Sequence, residues 1–511
     1  MHQSGTFAFI TLVLLVALSA STSDVQPENA IVADRSRPNI VVILADDLGF
    51  GDLQCNNPDA QTTTPNLNRL SQEGLRFTDA HSGSAVCTPT RYGLITGRYA
   101  FRSSLKKGVL GGYSPALIEA NRFTIADLLK RDGYQTAVIG KWHLGLNWPG
   151  QDASNPQALG ETGNTPSEKK LTIEADLTQG PNDLGFDYSY IIPSSLDIPP
   201  YIYLENGKPT DRTMVDIAGQ NEPRGVFWRT GKASQSFKLE NTLDQLGNKA
   251  QEFLMKASQQ KSPFFLYLPL TSPHTPWLPG KNFQGKSGAG IYGDFVAHTD
   301  DVAGRVLSTL DRLGLKENTL VIFTSDNGAD WKPNDLEKFP KHWANYMYRG
   351  EKSDIWEGGH RVPFLVRWPA AFKTTRTVDQ TICLTDLMAT FASITGQSLP
   401  VASGQDSFDL SVLLTAKASD KVIRESTIHH SINGMFAIRK GKWKYIDGQG
   451  SGGWSKDESA TKDLPAQLYD LENDPRETTN LVNNQSKIAA DLKALLAKQQ
   501  AQGYTRPGAK E

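Results

Sequence analysis

Apolar, β-branched runs recur along the chain, and several end abruptly in polar residues able to do chemistry. Residues 39–45 (NIVVILA) predict a buried strand that stops at Asp46-Asp47-Leu48-Gly49. Residues 134–140 (YQTAVIG) end in Lys141-Trp142-His143, and residues 263–270 (PFFLYLPL) lead to Ser272-Pro273-His274. Residues 319–324 (TLVIFT) end in Ser325-Asp326-Asn327-Gly328, and residues 361–368 (RVPFLVRW) allow one more strand. Helical periodicity falls between these runs. It covers residues 66–73, stopped by Gly74, then 237–258 and 293–313. Thr124 and Asp127 make a capping-box-like helix start, and Gly133 closes that helix. The alternation predicts an α/β fold: a large central, mixed but mostly parallel sheet between helices. In such sheets ligands collect at the carboxyl ends of strands, where these polar residues fall.

Two regions depart from this rhythm. Residues 148–236 lack periodicity and mix Gly, Pro, Asn and Asp with scattered aromatics; a stretch this long is functional or flexible. After about residue 398 the pattern turns to short strands at 435–439, 442–446 and 467–471, then a closing helix at 488–499. That predicts a smaller C-terminal α+β domain with an antiparallel sheet, dividing the chain into residues 36–398 and 399–511.

Composition narrows the partners. A formal net charge of −2 argues against a nucleic-acid or membrane-surface role, so any anion site must be local. Residues 7–18 are apolar but too short to span a bilayer, and small residues follow at 19–23. This predicts a signal peptide within residues 1–23, a secreted or periplasmic protein, and no stable membrane insertion. Only Cys55, Cys87 and Cys383 exist, which excludes a disulfide framework.

The chemistry centres on residues 82–98, SGSAVCTPTRYGLITGR. Pro89 suits the first turn of a helix, and Gly97 can end it in a left-handed conformation. Cys87 then sits at a helix start, where free N–H groups favour an anion, and Arg91 can point back at it. Asp46, Asp47, Asp326 and Asn327 offer four oxygen side chains, a set suited to a hard cation, calcium or magnesium. Taken singly, Asp-Asp-Leu-Gly and Asp-Asn-Gly are turn sequences. Lys141, His143, His274 and Lys352 likewise have plain readings as surface or loop residues.

Together these motifs resemble the type I, formylglycine-dependent sulfatases of the alkaline phosphatase superfamily. Cys87, Pro89 and Arg91 form the Cys-x-Pro-x-Arg signature, and the likeness runs from about residue 38 to 369. The resemblance implies an alkaline phosphatase-like fold and hydrolysis of sulfate monoesters, arylsulfatase-like in class. It implies that a maturation enzyme oxidises Cys87 to formylglycine, and that Asp46, Asp47, Asp326, Asn327 and residue 87 hold one divalent cation, Ca²⁺ before Mg²⁺. By the same likeness Lys141 and His143 act on the formylglycine diol, while His274 and Lys352 bind sulfate and help protonate the leaving oxygen. Arg91 completes the catalytic set. His360, in Glu357-Gly358-Gly359-His360-Arg361, is where the family more often has a nonpolar residue; it either touches substrate or packs. Tyr188, Tyr190, Tyr201, Tyr203, Phe227 and Trp228 suit sugar rings, so a sulfated glycan is the expected substrate. The rival readings are a formylglycine-dependent phosphonate or phosphate ester hydrolase and a catalytically silent, secreted, metal- and glycan-binding protein.

Overall fold

The strands Thr319–Ser325, Asn39–Asp46, Phe264–Pro273 and Gln135–Lys141 lie side by side in that order, all parallel. The fold is given by a computed structural model that describes residues 1–2, 37–151, 170–414 and 421–510. The expected signal peptide, beyond Met1 and His2, lies outside the described residues. Tyr188–Ile192 extends the parallel set beside Gln135–Lys141. Phe364–Arg367 joins the other side antiparallel, followed by Leu75–Phe77 and Arg376–Val378, within a sheet of ten strands.

Alternation along the central strand explains the layers. Ile40, Val42 and Leu44 face one side, in a core with Leu94, Ile95, Leu128 and Phe391 from the helices Cys87–Thr96, Ile125–Arg131 and Leu387–Ile394. Val41, Ile43 and Ala45 face the other, against Leu67, Leu246 and Val306 from Pro65–Gln72, Thr242–Ala257 and Gly290–Arg312. Both faces are covered, so the strands can be apolar throughout. The Thr124–Asp127 capping box forms, with both reciprocal bonds at 3.0 Å.

A second, antiparallel sheet of four strands (Thr427–His430, Phe436–Lys440, Trp443–Ile446 and Gln467–Asp470) carries the helix Ser486–Ala501 through Leu492 and Leu496. Pattern reading misses Thr427–His430, whose His429 and His430 are polar yet buried. It also misses order within residues 148–236. Tyr188–Ile192 joins the main sheet, and Met214–Ile217 pairs with Gly231–Ser234. Tyr190, Tyr201 and Tyr203 are buried, and Tyr190 and Phe237 both pack on Tyr203. All three cysteines are free thiols. Among the described residues no helix is long and apolar enough to cross a membrane.

Candidate active site

Parallel strands bring their last residues to one edge of the sheet, and four of the predicted segments meet there. The helix Cys87–Thr96 starts beside them, and Gly97 closes it at φ 61° as the sequence requires. Asp46 ends its strand; Asp47, at φ 63°, turns into the left-handed region and swings its carboxylate to a different set of partners. Lys141 Nζ donates to both Asp46 oxygens at 2.9 and 2.8 Å. Arg91 donates to Asp326 Oδ2 through Nε (3.0 Å) and Nη2 (2.7 Å), lies 3.3 Å from Asp46, and also donates to the Lys141 carbonyl at 2.9 Å. Its guanidinium is thus spent on the carboxylates, where the sequence alone suggested it would turn toward Cys87. Asp47 accepts from Asn327 Nδ2 at 2.7 Å and from Lys352 Nζ at 2.8 Å.

Two histidines complete the group. His143 sits at φ 55°, an uncommon conformation for a non-glycine residue. Its Nε2 lies 2.7 Å from the Leu110 carbonyl, which can only accept, so Nε2 carries the proton. Nδ1 then holds a lone pair, is buried and has no partner. His274 Nδ1 is tied to the Thr275 carbonyl at 2.6 Å, leaving Nε2 3.7 Å from Asp47 Oδ2.

The electrostatics are those of a buried charged cluster. Burial alone would raise Asp46, but Lys141, His274, Arg91 and Lys352 hold its carboxyl well below the usual range. Asp326 is pushed up, by burial first and then by Asp46 and Asp47, despite Arg91. Burial, Lys141 and Arg91 press His143 well down, so its imidazole is neutral at pH 7. Burial also raises the Cys87 thiol against the pull of Lys141 and Lys352, so the unmodified side chain is a poor thiolate.

The oxygen set fits a hard cation. Asn327 Oδ1 is buried with no hydrogen-bond partner, beside carboxylates whose other neighbours are ammonium groups. Asp46, Asp47 and His274 bring ligand atoms within 4.8 Å of one another, and the Asp47 N–H reaches Asp326 Oδ1 at 3.2 Å.

His360 is not brought to this group. It is fully buried in a second polar cluster, Nδ1 lying 3.0 Å from His81 Nδ1 and Nε2 3.0 Å from Lys444 Nζ. Its ring stacks on His429 at 4.0 Å and 7°. Of the two sequence readings it takes the packing one. Asp197 was missed: Oδ1 lies 3.9 Å from His274 Nδ1 and Oδ2 takes Arg229 Nη1 at 2.5 Å. Residues 194–197 carry no motif, so only the fold could reveal it.

The chain is similar to known sulfatases along most of its length. The Sulfatase family model matches residues 38–397, and N-sulphoglucosamine sulphohydrolase, C-terminal, matches residues 347–502. An N-acetylgalactosamine-6-O-sulfatase of Bacteroides thetaiotaomicron is 34% identical over 94% of this chain and 96% of its own. Human Arylsulfatase A is 32% identical over 92% of this chain and 86% of its own. A solved sulfatase structure from work on glycosaminoglycan metabolism by B. thetaiotaomicron aligns with TM-score 0.78 at 31% identity, covering 91% of this chain and 99% of that one.

Proposed function

The chain belongs to the sulfatase family and is a sulfuric ester hydrolase, and from that premise we propose that it removes sulfate from carbohydrates using a formylglycine made from Cys87. The observation that carries the carbohydrate reading is the N-acetylgalactosamine-6-O-sulfatase likeness along nearly the whole chain. We assign residues 36–398 to catalysis and 399–511 to the C-terminal part, behind a signal peptide in residues 1–23 that directs secretion or periplasmic export.

A formylglycine hydrate would supply one hydroxyl to attack sulfur and a second whose deprotonation expels sulfate. Asp46, Asp47, Asp326 and Asn327 would hold one hard divalent cation, calcium before magnesium, which when bound would offset charge on the reacting oxygens. Arg91 keeps Asp326 and Asp46 in place. Lys141 and Lys352 supply positive charge where the sulfate oxygens collect. His143 Nδ1, with its unspent lone pair, takes the proton whose removal releases sulfate. His274 Nε2, 3.7 Å from Asp47, would help protonate the leaving oxygen. A maturation enzyme in the producing cell is the partner this chemistry requires.

The test is to purify protein from a maturation-competent host, measure the mass of the Cys87 peptide, and assay matched aryl sulfates and phosphates beside sulfated mono- and oligosaccharides. Formylglycine at position 87 and sulfate release from sugars are expected. Unmodified cysteine in active enzyme, or faster phosphate than sulfate release, would overturn the reading.

A further inference from the structure

The aromatics of residues 148–236 that looked suited to sugar do not all reach solvent: Tyr190, Tyr201 and Tyr203 lie in the core. An exposed aromatic beside the carboxylate cluster comes instead from the C-terminal part. Trp454 retains 45% exposure, although its backbone is firmly held. Its N–H lies 2.9 Å from Ser353 Oγ and 3.0 Å from Asp354 Oδ1. The Ser455 N–H reaches Asp354 Oδ1 at 3.2 Å, and the Ile355 N–H donates to the Ser451 carbonyl at 2.8 Å. Residues 451–455 are therefore laced to residues 353–355, immediately after Lys352. Gly453 permits the approach, since a Cβ there would fall 2.5 Å from Ser353 O and Asp354 Oδ1.

The ring has charged neighbours. Lys332 Nζ lies 4.3 Å and Lys352 Nζ 5.7 Å from its centroid. Lys332 is already paired with Asp330 and Glu351, each at 3.0 Å, so it steadies the ring rather than seeking an anion. Lys352 is 2.8 Å from Asp47, which puts the indole one side chain away from the carboxylate cluster.

We propose that Trp454 is a specificity-determining residue, the platform on which a pyranose ring of the sulfated substrate packs. A pyranose has an apolar C–H face and polar edges, and a rigid, partly exposed indole complements that face at low entropic cost. The C-terminal part thereby selects saccharides, while the sheet edge supplies the chemistry. This rests on the carbohydrate reading above, and the experiment keeps the two apart.

Trp454→Ala and Trp454→Phe are compared with wild type on a sulfated oligosaccharide and on a small aryl sulfate, after thermal unfolding and the mass of the Cys87 peptide verify fold and maturation. Trp454→Ala should raise KM for the oligosaccharide about tenfold, corresponding to loss of one good stacking contact, with kcat little changed. Trp454→Phe should recover most of the loss, and aryl sulfate kinetics should move far less. Unchanged KM for the oligosaccharide would overturn the proposal, as would equal losses on both substrates, which would mean only that Lys352 had moved. Wild type that cleaves aryl sulfate but no saccharide would overturn the carbohydrate reading, and this inference with it.

Discussion

Two buried polar clusters in this molecule have the same formal charge inventory, and we assign them different work. At the sheet edge Asp46, Asp47 and Asp326 face Arg91, Lys141 and Lys352. Around His81 and His360, Asp79, Glu357 and Glu477 face Arg361, Arg439 and Lys444. Both perturb the titration of their members. Both leave an imidazole nitrogen without a partner, His143 Nδ1 in the first and His429 Nε2 in the second. Burial, charge and orphaned atoms therefore do not by themselves mark a reaction centre. Position and ring geometry separate the two. The first cluster sits where parallel strands end, and its orphaned atoms adjoin hard oxygen donors. In the second, His360 and His429 lie face to face at 7°, so they cannot both aim in-plane lone pairs at one ion. Its Lys444 and Arg439 come from the C-terminal sheet and pair with Glu357 and Asp79 of the main part. It is a fastening between the two sheets.

The sharpest way to break this comparison is to remove one charge from each cluster. Asp326→Asn keeps the shape but loses a carboxylate from the sheet edge. It should lower kcat/KM about 10³-fold, the scale of a lost transition-state electrostatic contact, with near-UV circular dichroism and Cys87 maturation unchanged. Near-native turnover would mean the sheet edge is not the reaction centre. His143→Gln should cost about 10²-fold in kcat with little change in KM, as loss of a positioned base does, read from steady-state kinetics.

Lys444→Met tests the fastening. It takes the ammonium from buried Glu477 and leaves Glu357 to Arg361 and Arg439, and should cost about 3–5 kcal/mol of stability, measured by denaturant unfolding. Specific activity of the folded fraction at low temperature should stay within about threefold, because the sheet edge is intact. Loss of activity without loss of stability would show that the second cluster takes part in catalysis.

The clusters also differ in pH response. Burial depresses His81, His360, His429 and His430, the last to about 4, against an ordinary value of 6.5. The unfolded chain then binds more protons below pH 6.5, so these groups stabilise fully above that pH and progressively less as pH falls. Each contributes a slope of up to about 1.4 kcal/mol per pH unit. Glu477 and Glu351, each pushed up to about 7 chiefly by burial, work in the opposite sense between their ordinary 4.5 and 7, as Asp300 and Asp326, pushed up to about 6, do above their ordinary 3.8. Asp79 and Glu357 stay charged in spite of burial, because Arg361, Arg439 and Lys444 surround them. The net expectation is an unfolding midpoint that falls as pH drops from 6.5 to 5. A flat profile would mean that the imidazoles do not outweigh the raised carboxyls.

Local sequence determined much of this protein. Runs of β-branched residues specified the parallel strands, because a strand covered on both faces has no reason to alternate. Pro89 and Gly97 bounded the Cys87 helix through their own backbone preferences. The polar residues at strand ends were legible for the same reason: chain continuity puts them at the sheet edge whatever else happens. Tertiary structure alone decided the rest. Arg91 went to Asp326, more than two hundred residues away, which no spacing could reveal. His360 turned inward because Lys444 and His429, from another sheet, filled the space around it. Tyr190 and Tyr203 were indistinguishable in sequence from exposed sugar-facing aromatics, yet Phe237 and the Thr242–Ala257 helix covered them. Trp454 stayed exposed on a loop pinned by its backbone. A side chain's chemistry is written in one letter, but whether it meets water, core or substrate depends on partners distant in the chain.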